Sequence, residues 1–247
     1  MRTRCLGTDR GMILRVMEAE LGQRAVYRPS PEFAYAVGSC VLQRDGFIVA
    51  DEGDAAVLAA LARLGLCDFR CAPQPPEDGA IAYPMEGHSG VSLMNLIGIV
   101  SARQRLLNQA IDARGAFRVS EGLMADLLAH PPQTPCCFLQ ALYERDGEYS
   151  GLAFSRDHIQ FTGFRKGRRE EAPLHRQLSD RMVEAARSKR WVKPFTANVR
   201  NRKYAFRTWL NAIGMTGPEY EAARSVFLGR LYGRSDQRGM ARGREKG

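Results

Sequence analysis

The chain has 247 residues, 45% of them apolar and 26% charged, which suits one or two domains with a buried core. Its most apolar run, 91–100, is interrupted by Ser92 and Asn95 and falls short of the roughly 20 residues a membrane span needs. No apolar signal core follows Met1-Arg2-Thr3-Arg4-Cys5, so a cytoplasmic chain with no membrane partner is expected.

The net charge of +9 is unevenly placed. Residues 1–150 carry 14 arginines, no lysine and 18 carboxylates, a net −4; residues 151–247 carry 22 cations against 9 carboxylates, a net +13. Such asymmetry points to a polyanion as partner: nucleic acid, a nucleoprotein or an acidic protein surface.

Taken in chain order, Ile13, Leu14, Met17 and Leu21 have helical spacing over 11–21. After Gly22, β-rich runs at 25–28, 33–37, 40–43 and 47–50 predict strands, with Asp45-Gly46 as a two-residue hairpin turn. Asp54 is placed to cap a helix carrying Val57, Leu58, Leu61 and Leu64 and ending at Gly65. The Pro-rich stretch 72–79 reads as a connector, and 81–85 as a short strand.

"EGHSG" (86–90) invites a catalytic reading through His88 and Ser89. A nucleophile elbow requires glycine two residues after the serine, and Val91 stands there instead. Ser89 directly precedes Val91, Leu93, Met94, Leu96, Ile97 and Val100, so it is read as the cap of a helix that continues, with a bend, through Ile111. Residues 116–120 form an extended piece, with Ser120 capping 123–128. Pro131-Pro132 separates that helix from one at 134–145, which Asp146-Gly147 stops. Residues 149–164 alternate as a hairpin turning at Arg156-Asp157, which puts His158 at a turn or strand edge.

From Gly163 the composition becomes basic, and 165–173 reads as a polar linker. Pro173 opens a helix with Leu174, Leu178, Met182 and Ala186 on one face and Arg176, Arg187, Lys189 and Arg190 on the other. Asn198 is read as the cap of the next helix, with Val199, Phe206, Leu210 and Ile213 aligned and Arg200, Lys203 and Arg207 on a neighbouring face. After Gly214, Gly217-Pro218 starts a last helix striped by Tyr220, Ala223, Phe227 and Leu231. Glu219 and Glu221 at its start argue for a helical hairpin over a helix-turn-helix reader. A Gly/Arg tail, 233–247, is expected to be disordered.

The expected fold is α+β: an N-terminal α/β-hairpin unit (1–72), a central α+β segment (73–164), a basic helical segment (165–232) and the tail. No phosphate-binding glycine loop, zinc-protease pattern or zinc-finger cysteine spacing is present. The six cysteines read as free thiols of a reducing compartment, so no metal or cofactor is expected. Candidate nucleic-acid contacts are Arg165, Lys166, Arg168, Arg169, Arg187, Lys189, Arg190, Trp191, Lys193, Arg200, Arg202, Lys203 and Arg207. Trp191 either stacks on a base or, like Trp209, belongs to the core.

"YPMEGHSGVSLMNLI" and "RKYAFRTWLNAIGMTGPEYEAARSVFLGRL", with "FAYAVGSCVLQRDG" near the start, resemble a "virulence-related protein" family of bacterial mobile elements and phages. The resemblance implies an accessory gene on mobile DNA and brings no catalytic residue. Together these readings predict a non-enzymatic protein that binds nucleic acid or a nucleoprotein complex. The alternatives are an inhibitor of a host defence complex, of anti-CRISPR or anti-restriction type, and an enzyme whose site assembles from distant residues.

Overall fold

The computed structural model describes residues 1–6, 9–68, 79–145, 147–193 and 201–233. The chain is α+β, 52% helix and 16% strand. Among the described residues no helix is long and apolar enough to cross a membrane. The Pro-rich stretch up to Asp78, Asp146, Asn198, Val199, Arg200 and the tail from Arg234 lie outside the described residues.

The first part holds β1 (Arg2–Arg4), α1 (Arg10–Leu21), β2 (Val26–Arg28), β3 (Ala34–Val37), β4 (Cys40–Leu42), β5 (Phe47–Val49) and α2 (Ala55–Arg63). Its strands form one antiparallel sheet in the order β1-β5-β4-β3-β2. Alternation sends Val37, Cys40, Leu42 and Ile48 to one face, where they meet Met12, Ile13 and Val16 of α1 and Leu58 and Leu61 of α2. Asp9 caps α1 by accepting from Met12 N–H (3.1 Å), and Gly22 ends it at φ 64°.

Two local expectations change here. The β4–β5 connection is a three-residue loop, not a two-residue turn: Gln43 N–H bonds Phe47 O (2.7 Å), Gly46 N–H bonds Gln43 O (3.2 Å), and Gly46 takes φ 83°. Asp54 precedes α2, but its carboxylate accepts from Ser39 Oγ (2.5 Å) and Asp51 N–H (3.3 Å), not from the helix. β1 was not expected at all. Only Thr3 of its three residues is buried, so it carries no apolar signature.

The second part holds β6 (Ile81–Pro84), α3 (Gly90–Ala110), β7 (Arg118–Val119), α4 (Glu121–Ala129), α5 (Pro135–Glu144), β8 (Tyr149–Ser150), β9 (Leu152–Phe154), β10 (His158–Phe161), α6 (Ala172–Ser188), α7 (Arg202–Ala212) and α8 (Glu221–Gly229). β10 lies between β6 and β9, so His158 opens a central strand. α3 is the axis of this part, buried from Leu93 to Val100, and it runs to Ala110 as one continuous helix. Ser89, Ser120 and Thr134 cap α3, α4 and α5 through bonds to Ser92, Leu123 and Cys137 N–H.

One apolar cluster runs from Met85 to Leu231 and takes side chains from both sides of position 165. The stretch read as a linker is instead two short 3-10 turns, Gly163–Lys166 and Arg169–Glu171. It is tied down by Phe164, stacked between Phe161 and His175, and by Glu171, buried and paired to Arg230. α7 starts at Arg202, capped by Asn201 accepting from Tyr204 N–H (3.1 Å). Tyr220, Ala223, Phe227 and Leu231 are all buried, as their spacing predicts. The two parts meet where Cys136 Sγ donates to Leu64 O (3.3 Å) and Arg15 pairs with Glu144 (2.7 Å).

Candidate nucleic-acid interface

The 86–90 turn is a rivet between the start of α3 and the end of α6. Arg187 Nε donates to His88 Nε2 (2.9 Å), so that nitrogen accepts and the ring proton sits on Nδ1, which donates to Ser92 Oγ (3.0 Å). Ser92 Oγ in turn donates to Ser89 O (2.9 Å). Arg187 also donates to Glu86 O (3.0 Å). Burial, helped by the Arg187 charge, pushes the His88 imidazole down to about 4 and keeps it neutral. Gly90 has no room for a side chain, since a Cβ would fall 2.4 Å from Pro132 O. The histidine and both serines are thereby committed to holding elements together.

α3 and α6 pack antiparallel, with Arg187 near His88 at one end and Glu171 near Arg230 and Ala110 at the other. This arrangement splits the predicted cations into two groups, separated by the 17 residues of α6, about 25 Å.

The first group surrounds the carbonyl end of α3, where a helix attracts positive charge. Lys166 Nζ donates to Gly115 O (3.3 Å), Arg168 pairs with Asp112 (3.1 Å) and Arg202 donates to Gln109 Oε1 (3.1 Å). Arg230, which the sequence reading passed over, donates to Ala110 O (2.8 Å) and clamps buried Glu171. The Arg230 guanidinium holds the Glu171 carboxyl below the usual range. Arg165 and Arg169 are exposed beside this group. Of these cations, Arg230 is held in a little-exposed pair and pins the fold, while Lys166, Arg168 and Arg202 make their bonds in solvent, where such contacts are weak. On α7, Lys203 is half-buried, with its N–H bonded to Tyr232 O (3.1 Å), and Arg207 is exposed one turn further on.

The second group lies at the opposite end, where α6 stops: Arg187, Lys189, Arg190, Trp191 and Lys193. Among the described residues no carboxylate pairs with Lys189, Arg190 or Lys193. Trp191 is 55% exposed, whereas Trp209 is 7% exposed and packs on Phe206. The alternatives for the two tryptophans therefore separate, with Trp209 in the core and Trp191 in solvent among cations. The strand of chain that carries them is anchored by Asn95, whose Nδ2 donates to Ala186 O (3.3 Å) and Lys189 O (2.6 Å). In the sequence Asn95 registers only as a polar interruption of an apolar run. A buried amide inside a helix that bonds another element's last carbonyls is a positioning device, and its polarity was the available signal.

Between the groups, the outer face of α6 is self-neutralised by Arg176–Asp180 (3.4 Å) and Arg181–Glu184 (2.5 Å). The cations thus do not merge along α6 into one stripe. Compared with known protein families, curated proteins and solved structures, the chain matches none.

Proposed function

We propose that this chain is a non-enzymatic protein that binds nucleic acid, alone or within a nucleoprotein complex, through the cationic end of α6. A mobile-element accessory role is the context its sequence resemblance suggests. The observation that carries the proposal is Trp191, a large aromatic in solvent flanked by Lys189, Arg190 and Lys193. What sets this exposed ring apart is its setting among cations, which suits a partner that is both aromatic and anionic. An unpaired base supplies the aromatic face by stacking, and its neighbouring phosphates release counterions to the lysines and the arginine. A single strand suits this geometry better than a duplex, whose bases are already stacked.

The test is fluorescence anisotropy of a labelled single-stranded oligonucleotide across a salt series. Three to four phosphate contacts predict a log–log slope of about −2 to −3. Trp191→Ala is expected to weaken binding by about tenfold with the slope unchanged, and Lys189→Glu/Lys193→Glu to flatten the slope. No binding at low salt overturns the proposal.

A further inference from the structure

The other face of the five-stranded sheet bears a second basic surface, in the half of the chain with negative net charge. The register aligns Val26, Ala36, Val41, Val49 and Arg2 across all five strands in one row. A second row holds Arg28 with Ala34 at one edge and Phe47 with Arg4 at the other. The side chains of both rows point away from α1 and α2, because their neighbours Tyr35, Leu42 and Ile48 pack on that core. The middle of this face is therefore small and apolar, and its rim is arginine.

A cleft of about 450 Å³ opens there, floored by Ala34, Val41 and Val49 and flanked by Arg28 and Arg44 together with Glu32 and Asp45. Gln43 lines it too, and its Oε1 has no hydrogen-bond partner. At each end a guanidinium lies over an aromatic ring: Arg44 over Phe33 (5.4 Å) and Arg2 over Phe47 (4.2 Å). Phe33 is 40% exposed and sits at φ 46°, a left-handed backbone that bulky residues rarely adopt. Its N–H is held by Pro29 O (3.2 Å). Such outliers concentrate where a side chain is displayed for a ligand. The carboxylates on this face, Glu32 and Asp45, pair with Arg28 (3.2 Å) and Arg2 (3.0 Å) in solvent, where such pairs are weak and open to exchange.

We propose that this sheet face is a second binding surface for single-stranded nucleic acid, with a base over the apolar floor between Phe33 and Phe47 and phosphates on the arginine rim. The proposal takes its ligand class from the reading above but uses none of the same residues. Its charge complementarity is that of a phosphate backbone, and its aromatic–guanidinium pairs offer flat surfaces for bases. The cleft's volume of about 450 Å³ is within the range of small-ligand sites.

The test combines ultraviolet crosslinking and affinity, with labelled oligothymidylate and the full chain. The native protein is compared with Arg28→Glu/Arg44→Glu and with Lys189→Glu/Trp191→Ala/Lys193→Glu. The triple variant is expected to keep crosslinks to peptides carrying Phe33 and Phe47, and the double variant to lose them with about a tenfold fall in affinity. Crosslinks confined to the Trp191 peptide overturn the inference and leave the α6 reading intact. A triple variant of undiminished affinity overturns the α6 reading and leaves the inference intact. Absence of any binding by the native protein overturns both. Phe33→Gly guards against misfolding: it should melt close to the native temperature yet bind about tenfold more weakly. Unchanged affinity in that variant counts against the inference. So does displacement of the oligonucleotide by polyglutamate at equal charge, which would assign the face to an acidic peptide.

Discussion

The two halves of this molecule differ in how deeply their charge is built into the fold: Arg230 and Arg187 are tied into the body, whereas the arginines of the sheet face pair only in solvent. The helical body carries the excess of positive residues, yet Lys166, Arg168, Arg187, Arg202 and Arg230 donate to carbonyls, carboxylates or side chains within it. The sheet unit belongs to the half with net negative charge, yet its outer face shows four arginines against two carboxylates. Net charge over a segment counts cations; it does not say which are free. What remains in the body is the short stretch from Lys189 to Lys193, where α6 has ended and, among the described residues, no carboxylate pairs with Lys189, Arg190 or Lys193.

The sharpest way to break this contrast is to remove a cation that the body uses. Arg230→Ala strips the partner from Glu171, which is 8% exposed, and leaves a buried carboxylate uncompensated. The expected cost is about 3–5 kcal/mol in urea unfolding. Arg190→Ala, on the free stretch, is expected to move the same curve by less than about 0.5 kcal/mol. Equal effects would erase the distinction between consumed and available charge.

Acid is the next largest lever, and it acts on the body. His88 is held neutral at about 4, and burial lowers His175 in the same direction between the rings of Phe164 and Phe227. A histidine depressed in the folded state contributes stability that is full above its ordinary value of 6.5 and is lost as pH falls from there toward the folded value. Glu171, also lowered, adds loss at still more acid pH. The unfolding midpoint should be flat between about pH 7 and 8 and fall steadily toward pH 4, with His88 contributing on the order of 2 kcal/mol after solvent screening. In His88→Gln that fall should be shallower; an unchanged profile would show that the rivet at Arg187 is not what titrates.

Binding gives the middle of the scale. Trp191→Ala should cost about 1–3 kcal/mol of single-strand affinity while leaving unfolding within about 0.5 kcal/mol. A core tryptophan behaves otherwise: Trp209→Ala is expected to lower stability by about 3 kcal/mol. This pair separates the two tryptophans by a measurement that uses the same chemical change in each.

Much of the local structure was legible because its causes are local. Ser89, Ser120 and Thr134 each precede an apolar run with no intervening breaker, and each caps a helix. Gly22, Gly65 and Gly214 end helices at positive φ. β1 was not legible, because Arg2, Thr3 and Arg4 become a strand only by pairing with β5, more than 40 residues away. The site was half legible for the same reason. Arg187 and Lys189 are neighbours in composition and in sequence, but Arg187 reaches His88 across 99 residues, and nothing local marks it as taken. The alternation in 25–50 shows that the strands have two faces; which face α1 and α2 cover is decided by packing.

Phe33 gives the smallest effect and the most discriminating one. A side chain in the left-handed region costs about 1–2 kcal/mol relative to glycine, because its Cβ crowds the following carbonyl. The ring, 40% accessible with Arg44 lying over it, offsets that cost by its partial burial. Phe33→Gly should therefore leave the sheet unit within about 1 kcal/mol of its native stability, measured by urea unfolding. If the ring were only filling the fold, its removal would destabilise, and the left-handed turn would be an incidental consequence of the chain path. Retained stability together with a loss of oligonucleotide affinity has a different meaning: the strain is retained because the ring is held out for a ligand.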